Sequence, residues 1–329
     1  MSAVKPRALV TSPTGADRVF RALVRGSGVT VLLIELLVGA FLAYRAQEAL
    51  GVAGLSFFTT SQWIPDAGHG HFGIVAVLLG TILIGLTAVT IATPVSVSVA
   101  LYLSDYAPLQ ARRFLVSIVD LMAAVPSVVY GLFGFFFLQG HVIGLARWIS
   151  TYFGWIPLFH VTGADPHNPQ GAATVYTSST FVAGIVVALM VTPVMASVMR
   201  EAFAQAPVGE REGAFALGAT RWGMVRTVVL PFGKGGIIGG TMLGLGRALG
   251  ETVAIYLIIS LIVGIQPHIL QSGASTVSAL IALRFGEASP FATSALMAAG
   301  LALFVLTLVV NFCASSIIAR SRSGTESGA

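Results

Sequence analysis

The stretch that decides the fold runs from Lys234 to Val263 and reads KGGIIGGTMLGLGRALGETVAIYLIISLIV. It is long enough to cross a bilayer, which takes about 20 apolar residues, and we predict one spanning helix at about 236–263. The stretch also carries Arg247 and Glu251. In a continuous helix these charges lie on one face, where they can pair. Because a charge at membrane depth costs about 2.5–3.5 kcal/mol on insertion scales, this face should look into protein or a water-filled path.

Three glycines of the same stretch form a GxxxGxxxG row, at Gly236, Gly240 and Gly244. Small residues at this spacing let a neighbouring membrane helix approach closely, so we predict a helix-packing role for the row. Arg247 follows Gly240, and Glu251 follows Gly244, by about seven residues, or about two helical turns. The glycine row and the charged pair are therefore expected to share a face.

The composition extends this interpretation to the whole chain. Of its 329 residues, 56% are hydrophobic and 9% are charged, and the mean hydropathy is +0.89, outside the range of soluble domains. The apolar runs are long and continuous, which favours helices over a β-barrel. We predict an all-α, polytopic membrane protein with six transmembrane helices, at about 27–44, 73–103, 114–138, 180–199, 236–263 and 292–319.

The remaining segments are polar or amphipathic. Residues 1–25 form a basic N-terminal segment, in which Asp17 to Val24 predicts a short interfacial helix, a disordered tail being the alternative. The transmembrane domain is expected over 26–320, followed by a tail at 321–329. Residues 139–179 predict an interfacial amphipathic helix followed by a polar loop, or else a re-entrant segment.

The distribution of basic residues predicts the orientation. Of 18 Lys and Arg residues, 14 fall on the side that holds both termini, 3 on the other side, and Arg247 lies within the membrane. Both termini are therefore expected in the cytoplasm, and the net charge of +5 needs no nucleic-acid partner. The six histidines fall on the outer side, and we expect no metal site there, because His69-Gly-His71 lacks a regular ligand spacing.

The connection between the fourth and fifth predicted spans, residues 201–235, has the pattern of two short amphipathic helices. Gly218 breaks the first helix and Pro231 ends the second. An apolar face on the cytoplasmic side needs a partner to cover it, or it rests on lipid. The order Glu-Gly-Ala at 212–214, three residues, Gly218, nine residues, Val228, one residue, Leu-Pro at 230–231 resembles the EAA loop of ABC-importer permeases.

This resemblance implies a coupling helix that docks on an ATP-binding subunit. The implied role belongs to the residues that match the motif: Glu212, Ala214, Gly218, Leu230 and Pro231. The chain departs from the motif by Gly213 for Ala and Val228 for Ile. It contains no GxxxxGK[ST] phosphate-binding loop, so ATP and Mg²⁺ are expected on the partner subunit and the chain itself is not expected to be an enzyme.

Three further stretches are similar to phosphate-importer permeases of the PstC type: LSFFT at 55–59, AVPSVVYGLFG at 124–134 and GRALGET at 246–252. The resemblance runs over nearly the whole chain from about residue 26. It implies one permease subunit of an ATP-driven phosphate importer in a bacterial plasma (inner) membrane. The implied partners are a second homologous permease subunit, two ATP-binding subunits, an extracytoplasmic phosphate-binding protein and membrane lipid.

Arg247 and Glu251 are the candidate substrate-path residues. A guanidinium is always protonated and binds phosphate oxygens in a bidentate manner. Glu251 could hold Arg247, or accept a hydrogen bond from a protonated phosphate; a purely structural pair is the alternative. Glu35 and Asp120 are weaker candidates, Asp120 as a partner of a nearby Arg. A sulfate or molybdate permease, or a proton-coupled secondary transporter, remains as the alternative function.

Overall fold

The computed structural model of the chain describes residues 15–66, 71–163, 173–259 and 262–322. The α-helices are α1 (Gly15–Ala53), α2 (Val75–Leu101), α3 (Leu109–Ala124), α4 (Ser127–Phe133), α5 (Gln139–Phe153), α6 (Thr180–Ala204), α7 (Val208–Ala216), α8 (Arg221–Met224), α9 (Leu230–Phe232), α10 (Lys234–Gly250), α11 (Val253–Ile258), α12 (Val277–Arg284) and α13 (Pro290–Arg322). The π-helical turns Tyr102–Tyr106, Gly134–Leu138 and Val225–Val229 follow α2, α4 and α8, and 3₁₀ turns lie at Gly54–Phe58, Pro157–Phe159, Ala173–Tyr176 and Phe285–Glu287.

A two-stranded antiparallel hairpin, β1 (Trp63–Ile64) and β2 (His71–Phe72), lies at one end of the molecule. Trp63 packs edge-on against Phe72, with ring centroids 6.1 Å apart. We call this end the hairpin end, and the opposite end, which carries α7 to α9, the loop end.

Five helical stretches are long and apolar enough to cross a membrane: Asp17–Phe58, Val75–Tyr106, Ser127–Phe153, Thr180–Ala204 and Pro290–Cys313. A sixth candidate is the pair Arg221–Phe232 and Lys234–Gly250, which bends by 66° at its joint. Within the described residues there are therefore five candidate spans, or six if the bent pair forms one span. The count of six is the predicted number.

Helices α2 and α6 form the centre of the fold and run in the same direction, from the hairpin end to the loop end. Near the start of α6, a Cβ on Gly184 would lie 2.6 Å from a methyl carbon of Thr87. Further along, Ser96 Oγ donates to the Thr192 carbonyl at 3.2 Å. The buried core here is built from alanines, valines and methionines, which let the helices approach closely. Helix α10 packs against both α2 and α6, and α13 packs against α1 and α10.

The third span differs from its prediction. The sequence predicts one helix over 114–138, but α3 ends at Ala124, and Val125 and Pro126 adopt extended backbone angles (ψ 129° and 141°). Proline disfavours the helical conformation of the residue before it, so Val125 is where the helix must stop. The span instead runs over Ser127–Phe153. The segment predicted as an interfacial helix continues this span through the π-helical turn.

The first helix is longer than predicted. Asp17 to Val24, expected as a separate interfacial helix, are the first turns of α1, which continues without a break to Ala53. At about 1.5 Å per residue, its 39 residues exceed the roughly 30 Å hydrocarbon core. Most of its side chains are exposed in the single chain. The predictions for residues 1–14 and for the tail at 323–329 lie outside the described residues.

Candidate functional site

The glycine row of α10 packs against α6. A Cβ on Gly236 would meet Ala202, one on Gly240 would meet Met199, and one on Gly244 would meet Met195 Sδ at 2.3 Å. Gly240 and Gly244 are buried. The absence of side chains at these three positions therefore sets how closely α10 approaches α6.

Arg247 lies about one turn beyond Gly244 along α10. Because Gly244 packs against Met195, this places Arg247 at the level of the middle of α6. The Arg247 side chain is exposed in the single chain, on the same stripe of α10 as Leu243, which is 49% exposed. The glycines and Arg247 thus lie on adjacent faces of α10: the glycine face is buried against α6, and the face that carries Arg247 is exposed in the single chain.

The predicted pair between Arg247 and Glu251 is wrong for this structure. Among the described residues, no carboxylate lies within 4.0 Å of the Arg247 guanidinium. The reason is that α10 ends at Gly250, and Glu251 takes an extended conformation (φ −65°, ψ 131°), so the two side chains do not share one helical face. The predicted single helix over 236–263 is interrupted at this point.

Glu251 instead stabilises the break between α10 and α11. Its Oε1 accepts a hydrogen bond from the Ala254 backbone N–H at 3.1 Å, which caps the short helix α11. Ser278 Oγ of α12 donates to the Glu251 carbonyl at 2.8 Å. Irregular backbone at membrane depth is tolerated only inside protein or along a water-filled path, and interrupted helices are typical of substrate sites in transporters. No pattern in the sequence indicates the contact with Ser278, although the Gly-Glu-Thr at 250–252 is a recognisable helix end.

We call residues 208–232 the coupling segment, after the motif that they resemble; they contain the two predicted helices. Helix α7 is followed by Gly218, whose φ of +84° lies in the left-handed region that favours glycine. Thr220 Oγ1 then accepts from the Gly223 N–H at 3.1 Å and caps the second helix, Arg221–Phe232. Pro231 lies inside this second helix, and the chain turns into α10 after Phe232.

The residues that match the motif differ in how far their side chains are buried. Ala214 and Leu230 are half-buried and pack against the central core. Glu212 and Pro231 are exposed. Four apolar side chains of this segment are exposed in the single chain: Val208, Phe215, Leu217 and Trp222, with Leu217 91% exposed.

An ion pair that no pattern in the sequence indicates joins α7 to the loop end of α2. Arg211 NH1 contacts Asp105 Oδ1 at 2.6 Å, with 3% of the Asp105 side chain and 19% of the Arg211 side chain exposed. Arg211 NH2 also donates to the Phe203 carbonyl at 2.5 Å, and Ser104 Oγ donates to the second Asp105 oxygen. Because the two charges are 106 positions apart, sequence spacing does not reveal them.

The weaker candidates do not converge on Arg247. Asp120 accepts a hydrogen bond from Ser197 Oγ at 3.3 Å, and no basic group lies within 4.0 Å of it among the described residues. Glu35 is exposed on α1. In the part of the chain that the structure describes, no cluster of three or more His, Cys, Asp or Glu could hold a metal ion. His69 lies outside the described residues.

Comparisons with known proteins agree with this architecture. Residues 92–323 match the family model described as "Binding-protein-dependent transport system inner membrane component". The "Phosphate transport system permease protein PstC 2" of Mycobacterium tuberculosis is 39% identical over 303 residues, which cover 92% of this chain and 91% of that protein. The "Phosphate transport system permease protein PstC" of Xylella fastidiosa is 35% identical over 306 residues, covering 93% and 91%. A crystal structure of a bacterial ABC transporter involved in the import of alginate aligns with a TM-score of 0.53 and 17% identity, over 92% of this chain and 99% of that one, a likeness of fold.

Proposed function

This chain belongs to the family of binding-protein-dependent transport system inner membrane components, and from that premise we propose that it is a permease subunit of an ATP-driven importer for inorganic phosphate. The observation that carries the proposal is Arg247, which is exposed beside a helix break at membrane depth. The relatives named as phosphate transport permeases support the choice of anion.

Arg247 cannot face lipid in the assembled transporter, because a charge in the hydrocarbon core is costly. Its open edge of α10 must therefore be covered by another protein surface or by water. We assign that surface to a second homologous permease subunit, so that the two chains enclose a path between them. A phosphate in this path would receive two parallel hydrogen bonds from the guanidinium, a geometry that lysine does not provide.

Glu251 has a supporting role in this proposal. Its carboxylate caps α11 and thereby holds the interruption next to Arg247. It would also accept a hydrogen bond from a protonated phosphate, which distinguishes phosphate from sulfate, because sulfate carries no proton at neutral pH.

Membrane lipid surrounds the outer faces of the spans, and both termini lie in the cytoplasm of the bacterium, with the chain in the inner membrane.

The coupling segment would receive the motion that opens the path. Glu212, Ala214, Gly218, Leu230 and Pro231 match the motif of the docking loop, and the exposed apolar side chains beside them would be covered by a cleft on an ATP-binding subunit. We propose two such subunits, which bind ATP and Mg²⁺, and an extracytoplasmic phosphate-binding protein that delivers the anion at the hairpin end. Closure of the ATP-binding subunits would move α7, and the path would alternate between the two sides.

The test is uptake of labelled phosphate into proteoliposomes that contain the complete transporter and its binding protein. Arg247→Gln should lower uptake by about 10- to 100-fold, because a hydrogen bond to a charged group contributes about 1.5–3 kcal/mol. The matched control is Arg200→Gln, which removes the same charge from a pair with the exposed Glu201. Full-rate phosphate import by an Arg247→Gln transporter that assembles normally would contradict the role of Arg247.

Competition between anions decides which anion is imported, and dependence on the ATP-binding subunits decides the transporter class. Unlabelled sulfate or molybdate that competes as well as phosphate would replace the phosphate assignment by a general oxyanion permease. Uptake that continues without the ATP-binding subunits and follows a proton gradient would identify a secondary transporter instead.

A further inference from the structure

Three structural connections lead from the coupling helix α7 into the spanning helices. Two are covalent: residues 205–207 join the end of α6 to α7, and the turn at Gly218 and the helix Arg221–Phe232 lead into α10 across the 66° bend. The third is the ion pair between Arg211 of α7 and Asp105, which follows α2 directly. Of these three connections, the ion pair is the one that reaches α2, which packs along α6 at the centre of the fold.

The ion pair has the burial and the bonding of an internal anchor. Asp105 uses both carboxylate oxygens, one for Arg211 and one for Ser104, and Arg211 also binds the Phe203 carbonyl at the end of α6. The guanidinium thus joins three elements: α7, the end of α2 and the end of α6. By contrast, the pair between Arg200 and Glu201 at the same end of the molecule joins sequence neighbours, and 65% of the Glu201 side chain is exposed.

Apart from this ion pair, few side chains of α7 hold it against the core. In the single chain none of them is buried, Phe215 and Val208 are exposed, and Ala214 is half-buried against the core. Exposed ion pairs contribute little, whereas removing one partner of a buried pair leaves an uncompensated charge. The orientation of α7 relative to α2 therefore depends on Arg211 more than on any exposed residue of the helix.

We propose that Arg211 is a positioning residue for energy coupling: its ion pair with Asp105 transmits the displacement of α7 to α2, in parallel with the covalent routes to α6 and α10. This inference rests on the proposed function, because it needs ATP-binding subunits that move α7. Without the pair, α7 would still dock and ATP would still be hydrolysed, but α2 would follow the motion incompletely.

The readout is the number of phosphate ions imported per ATP hydrolysed, measured in proteoliposomes with the full transporter and the binding protein. Asp105→Asn and Arg211→Gln should lower this ratio by about tenfold, within the usual range of coupling between sites. ATPase activity and co-purification of the ATP-binding subunits should be retained, which a merely destabilised chain would not do. The control Glu201→Gln, which removes one exposed carboxylate from the same end, should leave the ratio unchanged.

A charge-swapped variant separates the pair from its surroundings. Asp105→Arg combined with Arg211→Asp should recover at least part of the ratio, because the attraction is restored with its direction reversed. An unchanged ratio in either single variant that accumulates in the membrane overturns the proposal. If neither single variant accumulates, the swapped variant decides: a recovered ratio supports the proposal, and a reduced ratio or absence from the membrane overturns it.

The two proposals can fail separately. If the wild-type transporter imports another oxyanion, the phosphate assignment is wrong, and the ratio is then measured with that anion. If transport is independent of ATP, both proposals fail. If phosphate import is normal and Asp105→Asn leaves the ratio unchanged, only the coupling role of Arg211 fails.

Discussion

The contact between α10 and α6 is tested most directly at Gly236. A Cβ built on Gly236 lies 2.1 Å from the Cβ of Ala202, whereas carbon atoms pack at about 3.5–4.0 Å. Neither atom can rotate away, because each is attached directly to its backbone. Gly236→Ala must therefore push α10 away from α6 by about 1.5 Å, and overpacking of this kind costs about 1–3 kcal/mol.

Gly235 supplies a matched control in the same turn of α10, since a Cβ there would meet nothing within 4 Å. The gain in helix propensity from Gly to Ala, about 1 kcal/mol, is common to both variants. We therefore expect Gly236→Ala to be less stable than Gly235→Ala by about 1–3 kcal/mol. Adding Ala202→Gly should recover the loss except for the roughly 1 kcal/mol that a glycine costs within α6, because the new Cβ would then meet only the Cα of residue 202, at 3.6 Å.

The assay is unfolding of the purified transporter in mixed micelles with a rising fraction of a denaturing detergent, followed by circular dichroism. The free energy of unfolding is compared between the two alanine variants and the double variant. Equal stability of Gly236→Ala and Gly235→Ala would refute the packing of the glycine row against α6. Failure of the double variant to recover would show that the clash at residue 202 is not the cause.

Three further predictions use the same kind of geometry. Gly218→Ala should destabilise the turn by about 1–2 kcal/mol, because φ is +84° although no atom lies close to the added Cβ, and Gly218→Asn should destabilise it less. If the wild type and both variants retain the ATP-binding subunit equally during purification, the turn is not strained. Thr81→Val removes the acceptor of the buried Val277 N–H, bonded at 3.1 Å, and should lower the free energy of unfolding in mixed micelles by about 1–3 kcal/mol; an unchanged value would show that another acceptor replaces it. Thr220→Ala should cost about 0.5–2 kcal/mol through loss of the helix cap, seen as faster amide exchange across Arg221–Phe232, whereas Thr227→Ala, whose hydroxyl bonds only within the helix, should change it less.

Much of the fold and part of the candidate site could be predicted from the sequence, because local patterns carry them. Long apolar runs predict spanning helices wherever they occur, since the bilayer demands about 20 apolar residues. The coupling segment is recognisable because its turn needs a glycine at a fixed spacing, and Gly218 does adopt a left-handed conformation. The spacing of Gly236, Gly240 and Gly244 likewise indicates a helix contact before the partner helix is known.

Only the tertiary structure decided what these helices contact and where they stop. The helix predicted over 236–263 ends at Gly250, because Glu251 caps α11 and its carbonyl is satisfied by Ser278, a residue from a distant helix. Arg247 and Glu251 do not pair, although their spacing favoured it, because the helix ends between them. The ion pair of Arg211 with Asp105 could not be predicted at all, because its partners meet only when α2, α6 and α7 are assembled. Hydropathy and short spacings are properties of one segment, whereas a helix break or a buried charge pair is stable only when groups from several segments satisfy it.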